Sequence, residues 1–206
     1  MSQHEIERYI NHFFKEPGTF LEIGCWDGEV ISQTYEIEKQ GWKGVCVDPF
    51  PVNFKDRLCQ LCVKAVSNNG QPRRFIKVSV DRRGGDVSYF SGFKETLKEN
   101  WPLINDYCDY EEITVETITF EDIFKQYNLP DYVEFLSIDT EGSELEIFES
   151  IDFGKYSFGL IVFEHNTNEE VKLKIGNILR KNGYSLHEAL RVDDIYINNK
   201  ILVAIT

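Results

Sequence analysis

The stretch Thr19-Phe20-Leu21-Glu22-Ile23-Gly24-Cys25-Trp26-Asp27-Gly28 decides the fold. Its first five residues form a short, mostly apolar run that reads as a buried strand, and Gly24 and Gly28 mark a tight turn directly after it. Pro17-Gly18 ends the segment before it, where Ser2 and Glu5 form a capping box and Ile6, Tyr9, Ile10, Phe13 and Phe14 recur at helical spacing. Downstream, the pattern predicts a helix over 29–40 closed by Gly41, a strand Val45-Cys46-Val47 ending at Asp48-Pro49, a helical stretch over 52–58 and a third strand over 62–66. Residues 74–80 alternate like an antiparallel or edge strand and run into the turn-rich 81–86. Residues 113–118 read as a strand, and Thr119 with Asp122 opens a short helix that ends before Pro130. Strands over 133–138 and 159–163 alternate with helices over 143–150 and 169–181, the latter closed by Asn182-Gly183. The last two strands, 184–190 and 195–197, lie so close in sequence that they pair antiparallel. Apolar strands alternating with helices give an α/β chain whose mostly parallel sheet is covered on both faces.

The chain has 206 residues, of which 35 are acidic and 22 basic, for a formal charge of −13. That length favours one domain over 1–206, with an N-terminal helix in 1–17 and a variable segment at about 81–112. Hydrophobic residues make up 42% and aromatics 14%, enough to build a substantial core and to exclude disorder over most of the chain. No apolar run reaches the roughly 18–20 residues needed to cross a bilayer, and residues 1–14 lack the features of a secretory leader. So acidic a chain repels phosphate backbones, which argues against nucleic acid as a partner. The five cysteines are odd in number and have no framework-like spacing, as suits a reducing cytoplasm. Cys59 and Cys62 form a CxxC, but no second pair completes a tetrahedral zinc set, and ordinary packed thiols are the plainer reading.

Ligands of parallel α/β sheets collect at the carboxyl ends of the strands, where this chain places Glu22, Gly24 and Asp27, then Asp48, Ser67, Asp139 and Glu141, and Glu164 with His165. Gly24 permits a tight turn and Gly28 a close helix start. Trp26, however, stands where a dinucleotide fingerprint has its second glycine. An acidic residue there suits a cationic ligand better than a diphosphate. S-adenosylmethionine has an ammonium that Glu22 or Asp27 can bind, and Asp48, about twenty residues beyond the turn, is placed to accept ribose hydroxyls. Ser67 either approaches the adenine or is a plain turn serine.

The segments 20–28, 41–49 (Gly-Trp-Lys-Gly-Val-Cys-Val-Asp-Pro) and 135–145 (Phe-Leu-Ser-Ile-Asp-Thr-Glu-Gly-Ser-Glu-Leu) resemble the FkbM family of S-adenosylmethionine-dependent methyltransferases. Ile161-Val-Phe-Glu-His-Asn166 and the closing Asn182-Gly-Tyr184 and Asp194-Ile-Tyr196 extend the match over about 18–198. The resemblance implies a class I (Rossmann-like) methyltransferase sheet of seven strands with a C-terminal antiparallel hairpin. It also implies O-methylation of a small-molecule or carbohydrate acceptor, held by the poorly matching 81–112 segment. The alternative is a non-catalytic S-adenosylmethionine- or adenosine-binding protein that keeps the fold. A nucleotide-dependent oxidoreductase is disfavoured by Trp26, and a homo-oligomer is left open.

A second group of residues has three competing readings. Strand ends about 4.8 Å apart let Asp139, Glu164 and His165 share a divalent ion, Mg²⁺ or Mn²⁺, that activates an acceptor hydroxyl. Without metal, His165 is the general base, oriented by Asp139 or Glu164, with Asp139 at the reacting end. In the third reading Glu164 and His165 only cap the following helix. Glu141 and Glu144 fall at the start of a helix, where acids are ordinary dipole partners; that reading suits Glu144, while Glu141, two residues past Asp139, is equally a strand-end site residue. Arg73, Arg74, Arg82 and Arg83 suit a phosphate- or carboxylate-bearing substrate or a solvated face, and Tyr89, Phe90, Phe93 and Trp101 suit acceptor stacking or a small lid core.

Overall fold

The computed structural model describes residues 4–52, 54–98 and 100–205. The first half of the chain runs α1 (His4–Phe13), β1 (Thr19–Ile23), α2 (Tyr35–Lys39), β2 (Lys43–Val47), β3 (Gln60–Cys62), β4 (Ala65–Val66), β5 (Arg73–Asp81) and β6 (Gly92–Phe93). The second half runs α3 (Trp101–Tyr107), β7 (Cys108–Val115), β8 (Thr117–Ile118), α4 (Phe120–Tyr127), β9 (Tyr132–Ile138), α5 (Glu144–Ser150), β10 (Ser157–Glu164), α6 (Glu169–Lys181), β11 (Tyr184–Ala189), β12 (Asp193–Asn198) and α7 (Asn199–Ile205). The Ser2 end of the expected capping box lies outside the described residues.

Seven strands form the main sheet in the order β11-β12-β10-β9-β1-β2-β3. All neighbours are parallel except β12, which runs antiparallel to both β10 and β11. The mostly parallel sheet and its closing antiparallel hairpin are those the strand pattern predicts, and the count of seven is the one the resemblance implies. Alternate residues of β1 face opposite cores. Leu21 and Ile23 pack with Phe120 and Phe124 of α4, Phe148 of α5 and Ile175 of α6, while Phe20 packs with Ile6 and Ile10 of α1 and Ile37 of α2. Cys62 lies in the first core and Cys59 packs against the second, so the CxxC pair serves opposite faces and cannot share a ligand.

Three expected elements take a different form. The helix over 29–40 shrinks to α2, because buried carboxylates claim the backbone before it. Glu22 accepts hydrogen bonds from Ser32 Oγ (2.7 Å), Thr34 Oγ1 and the Gln33 N–H. Asp27 Oδ1 accepts from the N–H groups of Glu29 (3.0 Å) and Val30 (2.9 Å). These bonds hold 28–34 in bends, where a helix would have satisfied the same donors internally. The stretch 52–58 contains only a 3₁₀ turn at Phe54–Asp56. Its Arg57 is buried, with Nε donating to Glu38 Oε1 (3.2 Å) and its other nitrogens to Ser32 and Thr34. The strand over 62–66 splits. β3 ends the main sheet at Cys62, while β4 leaves it to pair in parallel with β8.

Strands β5, β6 and β7 form a separate antiparallel sheet with β5 in the middle, so the 74–80 strand is central, not an edge. Among the described residues no helix is long and apolar enough to cross a membrane.

Gly24 fixes how β1 meets β9. Its φ is +85°, and a Cβ there would sit 1.5 Å from the carbonyl oxygen of Asp139. Gly84 has a similar φ of +83° but open space around it. Chemical denaturation should therefore show Gly84→Ala costing about 1–2 kcal/mol for the left-handed backbone alone. Gly24→Ala should cost more than about 3 kcal/mol or prevent folding, because backbone must also move. Equal costs at the two positions would refute the close crossing.

Candidate active site

Strand order reverses around β1, which lies between β2 and β9. Neighbouring crossovers leave in opposite directions at such a point and open a crevice over the carboxyl ends. Here the crevice is a cavity of about 460 Å³. Ile23 and Gly24 line it from the end of β1, Val47 and Asp48 from β2, and Asp139, Thr140 and Glu141 from β9. Phe75, Val78 and Phe93 of the small sheet, with Phe50, supply an apolar opposite wall.

Gly24, Asp48 and Asp139 thus come together as the sequence predicts. Asp48 accepts from the N–H of Trp26 at Oδ2 (2.9 Å) and from that of Phe50 at Oδ1 (2.7 Å). Burial pushes its carboxyl up to about 6, against the pull of those two N–H bonds. The other expected cofactor residues lie outside the cavity lining. Glu22 and Asp27 are buried with their oxygens taken up by the 28–34 segment. Gly28 has φ +65° and lies against the Phe54 ring, where a Cβ would come within 2.3 Å of it. Ser67 is fully buried, its Oγ 2.8 Å from Thr117 Oγ1 and accepting from the Gly70 N–H (3.0 Å), so it takes the turn-serine alternative. Ala65 and Val66 line the cavity in its place.

The second group assembles differently from its expected form. Ligand-capable oxygens of Asp139, Glu141 and Glu164 lie within 4.8 Å of one another, and His165 is not among them. Burial, and then Glu164, hold the Asp139 carboxyl well above the usual range; burial and then Asp139 do the same to Glu141. Glu164 is pushed up to about 8, by burial first and then by Glu141. Two carboxamides brace the cluster. Asn100 Nδ2 donates to Glu141 Oε2 (2.7 Å), and Asn166 Nδ2 donates to Glu164 Oε2 (2.8 Å). Glu144, by contrast, accepts from the N–H groups of Thr140 (2.8 Å) and Gly142 (3.1 Å) and serves the turn.

His165 points elsewhere. Its Nδ1 accepts from the Thr167 N–H (3.1 Å), which puts the ring proton on Nε2, 3.6 Å from Asp194 Oδ1. Lys172 Nζ lies 3.2 Å from the same oxygen. Burial lowers the imidazole pKa. Nδ1 is taken up by the Thr167 N–H, while Nε2 is buried without a hydrogen-bond partner among the described residues, 3.6 Å from Asp194. His165 is thus outside the candidate ligand cluster, whose third member is Glu141, and it is Asp194, not Asp139 or Glu164, that faces its ring.

Residues 22–186 match the methyltransferase FkbM domain family. The chain belongs to that family. Among solved structures it is similar to the precorrin-6y C5,15-methyltransferase of Geobacter metallireducens GS-15. The identity is 10%, the alignment covers 94% of this chain and 88% of that one, and the TM-score is 0.43. No curated protein matches the chain.

Sequence reasoning left three features of this FkbM domain unplaced. The sequence leaves Glu141 open between a strand-end site residue and a first-turn acid; its φ of +57° sets it outside the helix, and its carboxylate joins the cluster. Asn100 comes from the poorly matching segment and carries no motif. Trp26, noted only as a blocked glycine position, lines the cavity and donates from Nε1 to Ser88 Oγ (2.8 Å), tying the 84–91 segment over the opening.

The Asp48 shift makes a pH prediction. Its pKa is raised in the folded chain, so ionising it costs stability, beginning near its ordinary 3.8 and complete above about 6. Relative to Asp48→Asn, the wild type should lose about 2 kcal/mol between about pH 4 and about pH 7. Urea titrations at several pH values would check this; a difference that does not vary with pH would show that the carboxylate is not held in a desolvated site.

Proposed function

We propose that this FkbM domain is an S-adenosylmethionine-dependent O-methyltransferase. The observation that carries the reading is the cavity at the β1, β2 and β9 ends, with Asp48 on one side and Asp139 and Glu141, two members of the carboxylate cluster, on the other. The Asp48 carboxylate is positioned to accept the paired hydroxyls of a ribose, and the flat apolar wall from Phe50 to Val66 suits an adenine. S-adenosylmethionine would supply a methyl group on a positively charged sulfur, which the acidic Asp139 end favours over an anionic ligand.

At that end the acceptor hydroxyl gives its proton to a carboxylate as its oxygen bonds to the methyl carbon. The carbon–sulfur bond breaks with its electron pair going to sulfur, leaving a neutral thioether. Asp139 and Glu141, which line the cavity, are the carboxylates placed to receive the proton, with Glu164 beside them in the cluster. The protein's main contribution is alignment of the two reactants in the cavity.

Asp139, Glu141 and Glu164 also fit a divalent cation, since an all-oxygen set of mutually repelling acids suits Mg²⁺ or Mn²⁺. Bound there, such an ion would lower the pKa of an acceptor hydroxyl.

Two titrations test the reading. S-adenosylhomocysteine should bind the purified protein in calorimetry, and Asp48→Ala should weaken it at least about tenfold, since a hydrogen bond to a charged group is worth roughly 1.5–3 kcal/mol. No heat of binding to a folded protein would overturn the assignment. Mn²⁺, followed by its electron paramagnetic resonance signal, should bind the wild type and lose most of its affinity in Glu164→Gln. His165→Gln should leave Mn²⁺ affinity within about twofold, because replacing a side chain outside the ligand set removes no metal bond.

A further inference from the structure

A second cavity of about 260 Å³ lies on the other side of the 139–144 turn, between the 95–100 segment and the start of α6. Glu141 is the one described residue that lines both cavities. In-line methyl transfer requires the acceptor oxygen to approach from the side opposite sulfur. A cofactor in the first cavity and an acceptor in the second would therefore meet across Glu141.

The chemistry of the second cavity selects among acceptors. Polar side chains, His165 among them, share its lining with Leu97 and Val171, and the carboxamides of Asn100 and Asn166 and the carboxylate of Glu141 form a linked set. Such paired donors and acceptors recognise hydroxyl groups, which both give and take hydrogen bonds. Anions find little to hold them. Lys98 is the only lysine or arginine among the described lining residues. The nearby Arg73 is committed, 2.7 Å from both Glu95 and Glu146, and Arg74 lies on the surface beside Glu112. A net charge of −13 repels anions further.

We propose that this second cavity is the acceptor subsite and that it takes a neutral or ammonium-bearing polyhydroxylated group, excluding phosphate- and carboxylate-bearing ones. This deepens the methyltransferase reading and rests on it. Asn100, contributed by the segment with no family motif, is a positioning residue that holds Glu141 toward the acceptor.

Saturation-transfer NMR on protein loaded with S-adenosylhomocysteine and Mg²⁺ tests the proposal, with methyl glucoside, glucosamine and glucose 6-phosphate as probes. Contacts to methyl glucoside or glucosamine, none to the phosphate, and loss of those contacts in Asn100→Ala with S-adenosylhomocysteine affinity within twofold are the expected results. Contact with the phosphate, contact with none of the three, or contacts that survive Asn100→Ala would overturn the subsite. A parallel calorimetric titration separates the two levels. If S-adenosylhomocysteine itself fails to bind, the methyltransferase reading fails; if it binds and the probe pattern differs, only the subsite does.

Discussion

The structure depends on how it disposes of carboxylates buried at the ends of its strands. A buried acid is costly unless something compensates it, and this chain carries many of them. Glu22, Asp27, Glu38 and Glu144 are compensated locally. Each accepts hydrogen bonds from neighbouring backbone N–H groups, and Glu38 adds the buried Arg57. Those bonds shape the loops around the sheet. Asp139, Glu141 and Glu164 are treated differently. They face one another, with carboxamides as their closest neutral donors, and burial and mutual repulsion keep all three above the ordinary carboxylate range. The first group spends its charge on structure, and the second is left able to take a proton or a cation.

This sorting explains where the sequence could be read and where it misled. The parallel strands were legible because they are short, apolar and bounded by glycine, proline or acid. The register of β1 against β9 and β2 then places Gly24, Asp48 and Asp139 around one opening. The helix over 29–40 was misjudged because periodicity cannot show that Glu22 reaches ten residues ahead to hold Ser32. The strand over 62–66 was misjudged for a similar reason. Its second half leaves the sheet for β8, a partner some fifty residues later whose pairing has no local signature.

Site residues divide along the same line. Those lying immediately after a strand were found by position, although Glu22, Asp27, Gly28 and Ser67 turn out to build the walls of the site from behind. Position on a strand end identifies a neighbourhood, not the direction of a side chain. His165 shows this most clearly. It follows the same strand as Glu164, yet alternation turns it toward the buried Asp194 on β12, with Nδ1 taken up by the Thr167 N–H. Glu141 is the converse case. Nothing in an acid two residues past a strand shows that its backbone will be left-handed.

That left-handed turn couples the site to the segment that covers it. Glu141 at φ +57° is followed by Gly142 at φ +109°, and two such residues in succession reverse the chain before α5 begins. A Cβ on Gly142 would lie 2.7 Å from the carbonyl oxygen of Thr96, so only glycine lets the 95–100 segment dock against the turn. The same docking brings Asn100 to Glu141. Cover and carboxylate are consequently placed by one contact: whatever moves the covering segment must also release Glu141 from Asn100. The wall between the two cavities is thus set by a backbone constraint, and the orientation of its single shared side chain depends on a segment outside the main sheet.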